Sequence, residues 1–182
     1  MSIYVLGEAH AMPKLFLVFK KSAQTNMENF VSWCAGPMVH VDLVLGDSMV
    51  MFTSYMFERF SMNRAVGYTP DTHETLMLRV SHEEYEAVQH ILLEFARRSI
   101  PYNYLDVCHL ILPSMATVQD VESVEDVDCL FCSQAVTLAL RMSLDSANPL
   151  RAPLWALNSR CTTPTMLYDV LKSHCESVAS II

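Results

Sequence analysis

Phe131-Cys132-Ser133-Gln134 (FCSQ) runs directly into the apolar stretch 135–140 (AVTLAL). Together they predict a helix that ends near Met142, with Cys132 at or near its first turn. Unpaired backbone N–H groups and the helix dipole stabilise a thiolate at that position, and the thiolate is the nucleophilic form of cysteine. Free cysteine is also common in protein cores, so a buried structural thiol is the alternative interpretation. A catalytic role therefore requires a matching base elsewhere in the chain.

His40 is the best candidate for that base. It belongs to residues 39–45 (VHVDLVL), which predict a strand, and residues 49–55 predict the next strand along the chain. A histidine in an apolar strand can equally be a core residue whose hydrogen bonds are satisfied. His109 is a rival base, but its apolar, mid-helix setting favours packing.

The turn between these strands determines which residue would orient His40. Gly46-Asp47 is typical of a two-residue hairpin turn with glycine first. That register places Thr53 opposite His40 on one face of the sheet, whereas a three-residue loop would place Ser54 there. Asp42 shares the His40 face but lies roughly 7 Å along the strand, so it would need a bent geometry or a water. The pattern therefore favours Thr53 as the third catalytic residue, the one that would orient His40, with Ser54 and Asp42 as alternatives.

The chain as a whole predicts one α+β domain with a small antiparallel sheet. No linker, repeat or low-complexity tract divides its 182 residues, and we expect residues 1–13 to be a flexible N-terminal extension. Further strands are predicted at 15–19 and 75–80, and further helices at 26–33, from the Ser81-x-x-Glu84 capping box to Arg98, at 105–112, and from Thr163-Pro164 onward.

Composition and charge restrict the class of function. Apolar residues make up 52% of the chain and charged residues 18%, which is typical of a folded globular protein. The net charge of −8 and the absence of a Lys/Arg cluster argue against nucleic acid as a partner. We find no apolar run long enough to span a membrane and no signal peptide, so we expect a cytoplasmic, reducing location.

Six cysteines raise the question of disulfides or a metal. Cys129-x-x-Cys132 has metal or redox spacing, but the sequence contains no second CxxC and no His-x-x-x-His motif. A chain this large and apolar does not need disulfides for stability. The sequence favours reduced thiols, and it predicts neither a metal nor a cofactor.

Taken in order, four motifs resemble the permuted papain-like (NlpC-like) superfamily, in which the histidine precedes the cysteine. The resemblance spans residues 14–172. The motifs are a histidine strand and hairpin followed by Phe52-Thr53-Ser54, then Tyr102-Asn103-Tyr104 before an apolar helix, then Phe131-Cys132-Ser133-Gln134 opening a helix, and finally a helix starting at Thr163-Pro164.

This resemblance implies a circularly permuted papain-like fold, with a small sheet packed against the cysteine helix. It implies Cys132 as the nucleophile, His40 as the base and a third residue near Thr53, where many relatives have Glu, His, Asp or Asn. The backbone N–H of Cys132 would stabilise the oxyanion, and Tyr104 and Gln134 would contact substrate. Members of the superfamily act on amide or ester carbonyls, and several occur in large DNA viruses.

Two hypotheses of function follow. The first is a cysteine hydrolase that cleaves an amide, isopeptide or ester bond of a protein, peptide or acyl substrate through an acyl-enzyme. The second is a non-enzymatic interaction or virion-structural protein with an unused site on the same fold. Methionine suits adaptable binding surfaces, and the candidate surface methionines are Met49, Met51, Met56 and Met62.

Overall fold

The computed structural model describes residues 12–21, 26–56, 58–111, 119–179 and 181. Within these residues six strands form one antiparallel sheet with the spatial order β4-β3-β2-β1-β5-β6. The strands are β1 Lys14–Lys20, β2 His40–Leu45, β3 Val50–Thr53, β4 Ser61–Arg64, β5 His73–Arg79 and β6 Glu176–Val178. The predicted α+β class is confirmed.

Several helices accompany the sheet. They are α1 Asn26–Ala35, α2 His82–Arg98, α3 Tyr104–Ile111, α4 Cys132–Ser143, α5 Arg151–Trp155 and α6 Pro164–Leu171, with a 3-10 turn at Ser159–Cys161. The sequence did not predict α5, because it contains Pro153. That proline is the third residue of the helix, where the missing N–H would have no partner within the helix. No helix in the described ranges is long and apolar enough to cross a membrane.

The main core lies between one face of the sheet and helices α2 and α4. Alternate residues of the central strands, such as Leu17 and Leu43, are fully buried in it. The first ten residues of α4, 132–141, are all buried. Helix α4 also contacts strand β2. This contact brings the N-terminus of α4 close to the start of β2.

The opposite face of the sheet is also covered, over its central part. A smaller apolar cluster forms there around Val18, Val44 and Ala65, and Met51 and Tyr68 pack against it. Every residue of β2 is therefore buried, whichever face it points to. Polar residues on β2 must consequently find protein partners instead of water.

The predicted two-residue hairpin turn is wrong. Residues 46–49 form the loop, and the strands pair Leu43 with Phe52 and Leu45 with Val50. Gly46 is required for a different reason: a Cβ there would lie 2.7 Å from the carbonyl oxygen of Lys14.

The true register moves β3 by two residues relative to the expected one. A shift of two preserves the face, since strand side chains alternate with a period of two. Thr53 therefore stays on the His40 face, but continuing the pairing places it opposite Asp42. His40 would instead lie opposite Tyr55.

We expect Gly46→Ala to destabilise the fold, because the added Cβ would collide with backbone of the neighbouring strand. The predicted loss in free energy of unfolding is about 1–3 kcal/mol, measured by urea denaturation. Ser48→Ala, at an exposed position of the same loop, is the control and should change stability by less than about 0.5 kcal/mol. Equal effects of the two substitutions would contradict the close-approach explanation.

Candidate active site

Cys132 and His40 meet where α4 begins and β2 begins. Cys132 is the first residue of α4 and His40 the first residue of β2. Both are almost fully buried, with exposed fractions of 6% and 7%. The sequence could identify both residues, but only the packing of α4 on β2 brings them into contact.

Strand β3 ends before it pairs with Val41, so the Val41 N–H can bond the cysteine sulfur. Gly46 N–H donates to Lys14 on β1, so by alternation the N–H of Val41 points toward the β3 side of the strand. The β3 ladder ends before it reaches Val41. The N–H groups of Val41 and Ser133 are instead in hydrogen-bonding contact with Cys132.

The His40 ring is held by two polar partners and one aromatic ring. Its Nε2 lies 2.8 Å from Asp42 Oδ1 and 3.1 Å from Thr53 Oγ1. The Tyr55 ring stacks on the imidazole, with 4.2 Å between centroids and 11° between planes. Because Nε2 is engaged by Asp42, Nδ1 is the ring nitrogen available to Cys132.

Of the two routes expected for Asp42, a bent geometry or a water, the structure shows direct contact with His40 and needs no water. The Cα atoms of residues two apart on a strand are separated by roughly 7 Å, but these two side chains share a face and lean toward each other. Asp42 is 2% exposed. Its Oδ1 accepts from His40, its Oδ2 accepts from Tyr68 Oη at 3.1 Å, and Thr53 also bonds the carboxylate.

These contacts keep Asp42 ionised. Burial raises the pKa of its carboxyl, but the positive charge of His40 and the hydrogen bonds from His40, Thr53 and Tyr68 outweigh burial and lower it below the ordinary value. A buried carboxylate thus faces the side of His40 that points away from Cys132.

The cysteine and histidine perturb each other in opposite directions. Burial alone would raise the pKa of the Cys132 thiol, but the charge of His40 and the hydrogen bonds from His40, Val41 and Ser133 lower it. Burial alone would lower the pKa of His40, but the Asp42 carboxylate and the Cys132 sulfur raise it to about 10. Each residue therefore favours the charged form of the other, which is the arrangement of a thiolate–imidazolium pair.

Two of the sequence-predicted residues, Ser54 and Gln134, hold the backbone at the start of α4 by hydrogen bonds. Ser54 Oγ donates to the Leu130 carbonyl at 3.0 Å, which ties the end of β3 to the loop before α4 and directs this hydroxyl away from His40. Gln134 is 1% exposed, and its Oε1 accepts from Phe131 N–H at 3.4 Å and from Asn103 Nδ2 at 3.3 Å. These bonds hold the start of α4 rather than present Gln134 to solvent.

A buried ion pair, which the sequence does not predict, also helps to hold the start of α4. Asp106 is fully buried, and Arg160 donates to its two oxygens at 2.7 and 2.9 Å. Asn103 Nδ2 donates to Asp106 at 2.6 Å. Since Asn103 also contacts Gln134, this network joins α3 and the 3-10 turn to the helix that carries the cysteine.

Two tyrosines lie at and just before the start of α3. Tyr104 is 43% exposed, and its ring centroid lies 5.1 Å from that of Tyr102. Burial and the negative charge of a Cys132 thiolate raise the pKa of Tyr102 above its ordinary value, so its phenol is neutral. The side chain of His109, the rival base, lies outside the described residues.

Tyr68 and Tyr55 are functional candidates that sequence reasoning missed. Tyr55 shares the His40 face and could have been found from the correct hairpin register. Tyr68 lies in the connection between β4 and β5, where no local pattern marks it.

Among the described residues, no group of three or more His, Cys, Asp or Glu side chains is arranged to hold a metal ion. Cys129, Cys132, Cys161 and Cys175 are free thiols. Comparisons with protein-family models, curated proteins and solved structures each found no match to this chain. The geometry of the site therefore carries the functional argument alone.

We expect iodoacetamide to label Cys132 well below pH 8, because its thiolate forms below the ordinary thiol range. Asp42→Asn removes the charge that raises the pKa of His40. The imidazolium then stabilises the thiolate less, and the pH of half-maximal labelling should rise by about one unit or more. Labelling at each cysteine is measured by mass spectrometry after digestion.

Two controls accompany this titration. Cys175 provides an internal reference, because burial raises its pKa to about 11 and it should label only at high pH. Thr53→Val tests the residue that the sequence favoured as third member. If it shifted the labelling curve more than Asp42→Asn does, Asp42 would not be the principal partner of His40.

Proposed function

We propose that this protein is a cysteine hydrolase in which Cys132 is the nucleophile and His40 the general acid–base. Asp42 orients the imidazole and stabilises its positive charge. The observation that carries the proposal is the buried row of three side chains, with Asp42 Oδ1 2.8 Å from His40 Nε2 and the imidazole in hydrogen-bonding contact with Cys132. A nucleophile, a base and an orienting group in this order are what covalent acyl transfer requires.

The reaction has two steps. The Cys132 thiolate attacks a carbonyl carbon, and the tetrahedral intermediate collapses to a thioester as His40 Nδ1 gives its proton to the leaving amine or alcohol. Water then loses a proton to Nδ1 and attacks the thioester carbon. The C–S bond breaks, which releases the acid and restores the Cys132 thiolate beside the protonated His40. The backbone N–H of Cys132, at the first position of α4, is suited to stabilise the oxyanion in both steps.

We further propose that the fold is the permuted papain-like one. Its support is the chain order, in which the histidine strand β2 precedes the cysteine helix α4, together with the packing of α4 on β2. The chain departs from the implied pattern at the third residue, which lies on the histidine strand itself and not on the next strand. An acidic residue there stabilises the imidazolium by charge, which the hydroxyl of Thr53 could not do.

The substrate is proposed to be an amide, isopeptide or ester carbonyl of a protein, peptide or acyl compound. The non-enzymatic hypothesis has less support from the fold. Of the four methionines that suggested a binding surface, Met62 is 51% exposed, whereas Met49 and Met51 pack against the apolar cluster on the second face of the sheet. A buried, ionised triad is a costly arrangement for a protein that does not use it.

We expect the protein to hydrolyse p-nitrophenyl acetate, used here as a generic acyl donor, through an acetylated Cys132. Cys132→Ala should abolish acetylation at this position, and His40→Ala should slow it by about 10²–10⁴-fold at neutral pH. Cys129→Ala, three residues earlier, is the matched control and should retain activity. Release of p-nitrophenol and the mass of the intact protein provide the two measurements.

An outcome in which the Cys132→Ala protein releases p-nitrophenol as fast as the unmodified protein would overturn the hydrolase proposal. It would leave the interaction hypothesis as the better explanation of the fold.

A further inference from the structure

The connection between β4 and β5 brings a tyrosine to the far side of the proposed triad. Tyr68 Oη donates to Asp42 Oδ2 at 3.1 Å. Its ring packs against the apolar cluster on the second face and contacts the His73 ring edge-on, with 5.2 Å between centroids. The body of Tyr68 is therefore anchored independently of its hydroxyl.

The two oxygens of Asp42 have separate partners. Oδ1 accepts from His40 Nε2 at 2.8 Å and Oδ2 accepts from Tyr68. A carboxylate can rotate about its terminal torsion, and a hydrogen bond to one oxygen only leaves much of that freedom. Donors on both oxygens fix the plane of the group, and with it the direction of the oxygen that binds the imidazole.

We propose that Tyr68 is a positioning residue of this site, whose hydroxyl holds the Asp42 carboxylate in the orientation that binds His40. The inference rests on the proposed function of Cys132, His40 and Asp42. Tyr68 contacts neither the nucleophile nor the carbonyl, and it acts only through Asp42.

The state of the phenol suits this role. Burial and the negative charge of Asp42 raise the pKa of Tyr68 far above neutrality, so the hydroxyl stays protonated and remains a donor over the working range of the site. Thr53 cannot replace it, because a threonine hydroxyl has one hydrogen and Thr53 Oγ1 already lies 3.1 Å from His40 Nε2 and bonds the carboxylate.

The other titratable groups around the pair do not provide the same contact. Tyr55 stacks on the face of the His40 ring, and Cys132 is in hydrogen-bonding contact with the imidazole. His73 interacts with Asp42 through charge, and its Nδ1 lies 2.8 Å from Thr72 Oγ1. Lys20 donates to Glu28 at 2.7 Å. Tyr68→Phe leaves all of these groups and the packed ring in place and removes the hydroxyl alone.

The test compares the pH dependence of Cys132 labelling by iodoacetamide in the unmodified protein and in Tyr68→Phe. We expect the half-maximal pH to rise by about 0.5–1 unit, and labelling at pH 6 to slow by about threefold to tenfold, since a hydrogen bond to a charged group is lost. Tyr168→Phe is the matched control. It removes a tyrosine hydroxyl that donates to Glu74, on the same sheet but outside the triad, and should leave the profile unchanged.

A double variant separates positioning from packing. In the Asp42→Asn background, Tyr68→Phe should shift the labelling profile no further, because the charge that the hydroxyl positions is already gone. An equal shift in both backgrounds, or an unchanged profile in Tyr68→Phe alone, would overturn the positioning role while leaving the hydrolase proposal intact. Failure of the unmodified protein to label below pH 8 would instead overturn the proposed function itself.

Discussion

The hydrogen-bonded pair of Asp42 and His40 organises the polar side chains buried on strand β2. A carboxylate that is 2% exposed is strongly destabilising unless donors surround it. Asp42 lies on a strand that is covered on both faces, so those donors have to come from the protein. His40 provides one from its own strand, Thr53 one from the neighbouring strand, and Tyr68 one from the connection that covers the second face.

The pKa of Cys132 depends on the same pair indirectly, through the charge of His40. The Asp42 carboxylate raises the pKa of His40 despite its burial, and the charge of His40 in turn lowers the pKa of Cys132. The early end of the β3 ladder frees the Val41 N–H for the sulfur, and the Asp106–Arg160 pair and Asn103 hold the start of α4 through Gln134. The thiolate is thus stabilised by elements that are far apart in the sequence.

Sequence patterns located most of the elements and both central residues of the site. The informative patterns were the apolar run after Cys132, the capping box at Ser81 and the buried strand around His40.

Other parts of the fold and site could not be predicted, because their sequence patterns are weak or misleading. The exposed, polar edge strand β4 carries no alternation, so it was missed. Gly46 resembled a turn glycine, but close approach to Lys14 explains it, and the register was therefore misassigned. Asp42 was underrated because strand spacing describes Cα atoms and not the tips of side chains that lean together. Tyr68 is joined to the site by tertiary packing alone.

We propose that Cys132 is a thiolate in neutral solution because the charge of His40, which Asp42 stabilises, lowers the pKa of Cys132. The most direct test is the ultraviolet absorbance of the thiolate, followed against pH as the difference between the unmodified protein and Cys132→Ser. We expect an ionisation midpoint well below the ordinary cysteine value of about 8.5, and a return toward that value in Asp42→Asn. A midpoint at or above about 8.5 in the unmodified protein would contradict it.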